Sequence, residues 1–314
     1  MSDSRATSSD LLAADTAMGA VTLNVADLDT ATAYYRDGIG LDVLAQEGPR
    51  TTLGRAGHGT SDSRAVVILE YAPGLKHAAP HEAGLFHTAI LFDTEEALAA
   101  AVFSVAQKYP HTFTGSSDHL VSKAFYFDDV EGNGVELYWD RDRSEWSWAH
   151  GTLEMGTLYL DPNNFLREHL TERAREGAGF GAAQVGHVHL SVGDVASASE
   201  FYVTKLGFDR TIEIPGQAVF VSAGGYHHHM AMNVWNSRGA GRRQRTLGLG
   251  HIDIVVPDAE DLGDLTERMR HYGVEARDDG QTVAFDDPWA NVSRVTSAAP
   301  HPPAPHPAAP DPAA

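Results

Sequence analysis

"VGHVHLSVGDVASASEFYVTKLGFDR", residues 185–210, repeats in outline an earlier stretch, "MGAVTLNVADLDTATAYYRDGIGLDV", residues 18–43. The two align without a gap at an offset of 167, setting Gly19 against Gly186, Asp27 against Asp194 and Tyr35 against Tyr202. Each begins with the alternation of a half-buried strand. An Asp follows, placed to cap the next element, and then a helical pattern that stops near a Gly. A repeat of this length sets the unit of the fold before any single motif is considered.

A looser pair extends the pattern. "GLFHTAILFDTEEALAAAVFSV" from Gly84 resembles "GLGHIDIVVPDAEDLGDLTERM" from Gly248, and each runs on to a matching hairpin, "FDDVEGNGVE" from Phe127 and "FDDPWANVSR" from Phe285. In the first hairpin Gly132-Asn133 sits near the tip. The chain therefore divides into four strand–helix–strands modules near 18–75, 84–141, 185–238 and 247–298, an α+β architecture. Modules one and two form the first half (18–141) and modules three and four the second (185–298). Between them, the connector 142–184 predicts a short helix from Asn163 to Glu176. The N-terminus (1–17) and the Pro/Ala-rich tail (299–314) carry too little apolar payload to pack and are expected to be disordered.

Composition limits the function classes. A formal net charge of −20 over 314 residues argues against nucleic acid and anionic membrane as partners. "GRRQR", residues 241–245, is the basic cluster, read as a solvated loop. The absence of cysteine excludes disulfides, Fe–S clusters and thiol catalysis, so any metal is held by His, Asp or Glu. No apolar run reaches the ~18 residues of a membrane span, and the N-terminus lacks the basic-then-apolar pattern of a secretion signal. A cytoplasmic location is the expectation.

Four βαβββ modules carrying "GHVHLSV.D...A..FY...LGF" and "FDD.EGNGVELY" resemble the vicinal-oxygen-chelate superfamily, which includes glyoxalases, bleomycin-resistance proteins and extradiol dioxygenases. The resemblance spans nearly all of residues 18–297 and is closest to bacterial catechol 2,3-dioxygenase-like proteins of the two-domain type. It implies two paired-module domains, each a cup whose metal ligands come from the first and last strands of its modules. At those positions module one has Ala20, module two His87 and Glu136, module three His187, and module four His251 and Arg294. An arginine is no carboxylate ligand, so only modules two and three together supply a two-His-one-carboxylate set: His87, His187 and Glu136. Modules one and four then pair as a structural domain, with His251 a packed strand residue. His189, two residues beyond His187 on the same strand face, is an alternative ligand.

The resemblance further implies an acid/base histidine and two hydrogen-bonding residues. Tyr126 stands ten residues before Glu136, and His119 stands on the entry to the same strand. "GGYHHHMAMNVW" supplies the acid/base His, aligned best at His228, with strand alternation sending His227 and His229 to the opposite face. Two imidazoles and one carboxylate leave adjacent positions on Fe(II), or Mn(II), for a catechol and O₂. The implied activity is extradiol cleavage of a catechol beside its hydroxyl pair, in a chain that this scaffold often assembles into homo-oligomers. Two other readings share the scaffold: a glyoxalase-like metal-dependent lyase or isomerase, and a metal-free small-molecule-binding protein of the antibiotic-resistance type.

Overall fold

A computed structural model of the chain describes residues 11–56, 62–149 and 152–298. Each module is a βαβββ unit. Module one holds β1 (Ala17–Val25), α1 (Leu28–Ala33), β2 (Asp42–Glu47), β3 (Arg50–Ala56) and β4 (Ser63–Tyr71). Module two holds β5 (Gly84–Phe92), α2 (Glu95–Lys108), β6 (Phe113–Asp118), β7 (Ser122–Asp128) and β8 (Gly134–Asp140). The connector contains a small hairpin, β9 (Trp148–Ala149) with β10 (Thr152–Leu153), and the helices α3 (Pro162–His169) and α4 (Glu172–Arg175). Module three holds β11 (Ala183–Ser191), α5 (Val195–Ser199), β12 (Asp209–Ile214), β13 (Ala218–Ser222) and β14 (Met230–Asn233). Module four holds β15 (Gly248–Val256), α6 (Ala259–His271), β16 (Ala276–Asp278), β17 (Thr282–Asp286) and β18 (Val292–Ser297).

The strands form two eight-stranded sheets with the orders β12-β13-β14-β11-β5-β8-β7-β6 and β16-β17-β18-β15-β1-β4-β3-β2. Modules three and two share the first sheet, joined antiparallel through β11 and β5. Modules four and one share the second, joined through β15 and β1. Sheet partners are therefore not sequence neighbours within a half.

Sequence neighbours are tied together on the helix side instead. The Tyr35 hydroxyl of module one donates to Asp129 Oδ2 of module two over 2.9 Å, and Tyr202 of module three donates to Asp287 of module four over 3.0 Å. Both aspartates are buried. Each accepts two backbone N–H groups of its own hairpin turn: Glu131 and Asn133 for Asp129, Trp289 and Asn291 for Asp287. With the side-chain amides of Asn133 and Asn291 as the fourth donors, the second Asp of the shared "FDD" is a structural device in which every lone pair has a donor. The capping residues also act as the sequence predicts: Asp27 accepts the N–H of Thr30, and Asp194 that of Ser197.

Three expectations need correction. Residues 11–17 are ordered against the body: Leu12 is buried, its N–H donates to the Gly207 carbonyl, and Ala17 opens β1. The rest of the expected disorder, 1–10 and 299–314, lies outside the described residues. The single connector helix is two, because Leu170 leaves helical geometry and Thr171 caps a new turn through the N–H of Ala174. "GRRQR" is only partly solvated. Arg243 is half-buried and donates to Asn291 Oδ1, Thr246 Oγ1 and the Leu249 carbonyl, pinning the entry to β15.

Candidate active site

Three candidate ligands meet in the sheet of modules two and three. Ala89 on β5 lies opposite His187 of β11 on one side and Glu136 of β8 on the other. Residues side by side across a sheet project to one face, and His87, two residues before Ala89, joins them by the period of two. Glu136 Oε2 lies 3.0 Å from His87 Nε2 and 3.2 Å from His187 Nε2, and the donor atoms of the three all lie within 4.8 Å of one another. All three are buried. Burial alone would raise the Glu136 carboxyl, but His187 and His87 against it outweigh that and hold it well below the usual carboxylate range. Burial also pushes His187 down to about 4, against the pull of Glu136, so its imidazole is neutral at pH 7. A neutral imidazole and an ionised carboxylate are the ligand forms a divalent metal requires.

The spacing fits a metal as well. Two ligands held at right angles, each roughly 2.0–2.2 Å from a first-row ion, stand roughly 3 Å apart. His87 Nε2 is buried with no hydrogen-bond partner although the carboxylate is 3.0 Å away, an orphaned atom that a shared cation would satisfy. His187 Nδ1 also lacks a partner, so its ring is oriented by packing against His228, centroids 4.0 Å apart, and Tyr138, 4.8 Å apart. His189 is not in the cluster; its Nε2 accepts from the Asn233 amide over 2.9 Å.

The remaining candidates stand around this cluster. His119 Nδ1 lies 2.6 Å from the Gly156 carbonyl, which can only accept, so that nitrogen carries the proton. In the neutral ring Nε2 is then the acceptor for the Tyr126 hydroxyl, 2.6 Å away. Burial, reinforced by Glu136, raises Tyr126 well above the ordinary phenol value and keeps it protonated.

His227–His229 differ from the expected strand alternation, because β14 begins only at Met230. His227 is not across the sheet from His228 but directly behind it. Asp140 Oδ1 accepts from His227 Nε2 over 2.9 Å, and Asp140 Oδ2 accepts from the Tyr226 hydroxyl over 2.7 Å. His227 Nδ1 faces His228 Nδ1 at 2.8 Å. With one proton on each ring, Asp140 fixes that of His227 on Nε2, so His228 must donate from Nδ1. Its Nε2 is left as a bare lone pair on the cavity side. Burial lowers His228 well below the ordinary histidine value, which keeps this neutral form. His229 does turn away, accepting the Ala223 N–H.

His87, Glu136, His187, His119, Tyr126 and His228 all line one cavity of about 650 Å³. The connector, to which sequence reasoning gave no role, contributes Met155, Gly156 and Thr157 to its wall. Asp140 was also missed. Its signal was available: four residues beyond Glu136 on one strand, it shares that residue's face.

The second sheet holds the comparison that isolates this site. His251 occupies the place of His87, Asp253 that of Ala89, and Arg294 that of Glu136. Arg294 donates to His251 Nε2 over 3.2 Å, and burial followed by Arg294 lowers that histidine to about 4. A guanidinium stands where the other sheet has its carboxylate.

The family model for the Glyoxalase/Bleomycin resistance protein/Dioxygenase superfamily matches residues 17–137 and 184–291. A catechol-2,3-dioxygenase of Bacillus subtilis (strain 168) is 34% identical over 280 residues, covering 87% of this chain and 94% of that protein. Among solved structures, a protein of Bacillus subtilis subsp. subtilis str. 168 proposed to be a dioxygenase superposes with a TM-score of 0.61 at 14% identity, over 90% of this chain and 86% of that one. Glyoxalase I from Zea mays superposes at 0.54 and 15% identity, over 90% and 92%. These two structural likenesses speak for the fold alone.

Proposed function

We propose, from the premise that the chain belongs to the glyoxalase/bleomycin resistance/dioxygenase superfamily, that it is an Fe(II)-dependent extradiol dioxygenase of catechol-type substrates. The observation that carries this reading is the convergence of His87, His187 and Glu136 on one wall of a cavity that also holds His119, Tyr126 and His228. In it His87, His187 and Glu136 hold the metal; Mn(II) suits the same donors. When bound, the metal supplies the acidity that ionises a catechol and the route for electron density from ring to O₂.

The protein's own groups handle the protons. His228 takes the catechol proton on its bare Nε2, and the Nδ1–H behind it stays anchored on His227 and Asp140. As the product forms, the same Nε2–H returns a proton. Tyr126, whose hydroxyl proton is engaged by His119, offers its oxygen lone pairs to a substrate hydroxyl. The apolar walls exclude water from these steps. Substrate, O₂ and a cytoplasmic setting complete the reading.

Anaerobic loading with Fe(II), followed by a catechol and air, tests it. A yellow ring-cleavage product with stoichiometric oxygen uptake is expected. No oxygen uptake across simple and substituted catechols would overturn the assignment.

A further inference from the structure

The cavity extends well beyond what a bare catechol ring would fill, and its distal part has a definite chemistry. Phe86, His189 and Trp235 meet ring to ring, with centroids 4.9 Å (Phe86–His189), 5.4 Å (Phe86–Trp235) and 5.4 Å (His189–Trp235) apart. Phe220 closes on His189 at 5.8 Å, and Ile212 and Ile214 extend the wall along the edge strand β12. This box adjoins the candidate ligand His87, whose ring lies 5.4 Å from Phe86 and 5.0 Å from His189. Among the described residues lining the cavity there is no Lys or Arg, and the one carboxylate besides Glu136 is Asp128. Of the arginines near the cavity walls, Arg210 on β12 is engaged by Glu213, and Arg141 just after β8 by Asp118. His189 offers no N–H from Nε2 to receive an anion, because that nitrogen already accepts from the Asn233 amide.

Resting on the catechol-cleaving reading, we infer that the preferred substrate is a catechol with an uncharged apolar substituent, alkyl or aryl, seated in the Phe86–His189–Phe220–Trp235 box. Catechols with a carboxylate on that substituent are rejected. A carboxylate there would leave water for an apolar wall with no cation to receive it, in a chain whose net charge is −20. An alkyl group gains on every methylene buried, about threefold to fourfold in affinity for each. Trp235 is half-exposed at the mouth, so it can be altered without opening the core.

The test compares catechol, 4-propylcatechol and 3-(3,4-dihydroxyphenyl)propanoate, a side chain of the same carbon count ending in a carboxylate. Binding to Fe(II)-incubated protein is read anaerobically by calorimetry, and cleavage is read separately after admitting air. 4-Propylcatechol is expected to bind about tenfold or more tighter than catechol, and the propanoate on the order of 100-fold weaker than 4-propylcatechol. Trp235→Ala should raise KM for 4-propylcatechol several-fold more than for catechol, and Trp235→Phe should recover most of the difference. Cleavage of all three with the propanoate bound as tightly as 4-propylcatechol would overturn the substrate class and leave the dioxygenase reading standing. Tight, selective binding of 4-propylcatechol without cleavage of any would support the substrate class while removing the dioxygenase reading. Neither preference nor cleavage would remove both.

Discussion

At the residue scale, Asp140 turns three consecutive histidines into three different groups. Its carboxylate accepts from His227, which obliges His228 to expose a lone pair, while His229 is spent on the Ala223 amide. Asp140→Asn removes the acceptor that fixes this order and lets the amide donate, reversing the tautomer. The expected outcome is a fall in kcat on the order of 100-fold or more with KM and iron content little changed, read by steady-state kinetics and metal analysis. Glu136 and Arg294 make a second residue-scale comparison. Glu136→Ala should abolish iron retention on gel filtration, whereas His251→Ala should retain it, since the histidine of the second sheet already faces a guanidinium. The reverse pattern would put the metal in the wrong sheet.

At the element scale, the two "FDD" hairpins separate structure from function. Both keep the buried Asp that ties turn to turn and module to module; only one carries a cavity-facing carboxylate, Glu136, on the strand that follows. Asp129→Ala would strip the Glu131 and Asn133 amides and the Tyr35 hydroxyl of their acceptor. A loss of stability on the order of 3 kcal/mol in urea unfolding is expected, with the intrinsic activity of the folded fraction retained. Gly186, on the bulged strand β11, has a different constraint: a Cβ there would run into the Tyr138 hydroxyl, which bonds Tyr226 at 2.7 Å. The helix caps and hairpin turns were legible because they are local. The connector's place in the cavity wall was not, since no periodicity marks a loop whose carbonyl, that of Gly156, reaches a histidine 37 residues away.

At the scale of the whole molecule, the buried histidines couple stability to pH. Burial lowers His229 to about 3 and His251 to about 4, whereas the unfolded chain binds protons at these groups near pH 6.5. Below 6.5 the unfolded state therefore holds more protons, and stability falls as pH drops toward 4. Asp253 runs the other way: burial raises it to about 6, so its contribution is lost as pH rises from 3.8 through 6. With five histidines and six carboxyls lowered against five carboxyls raised, Tm of the metal-free protein should decline steadily from pH 6.5 to 4. His251→Asn should make the decline shallower; an unchanged slope would exclude that histidine as a contributor.

The amino-acid sequence by itself determined the repeated βαβββ unit, the caps and turns within each module, and the set of residue types able to hold a metal. These rest on local periodicity and on the chemistry of single side chains. It also pointed to the sheet partnership of modules two and three, because Arg294 left modules three and four without a carboxylate and Ala20 left modules one and two without a second histidine. Only the tertiary structure decided what each of those side chains meets. Ala89 sets His187 and Glu136 in one row, Gly156 fixes the proton on His119, and Asp140 fixes the proton on His228. The physical reason is that a hydrogen-bond donor is assigned by its partner. Here the partners come from strands and loops far apart in the chain, which no local pattern encodes.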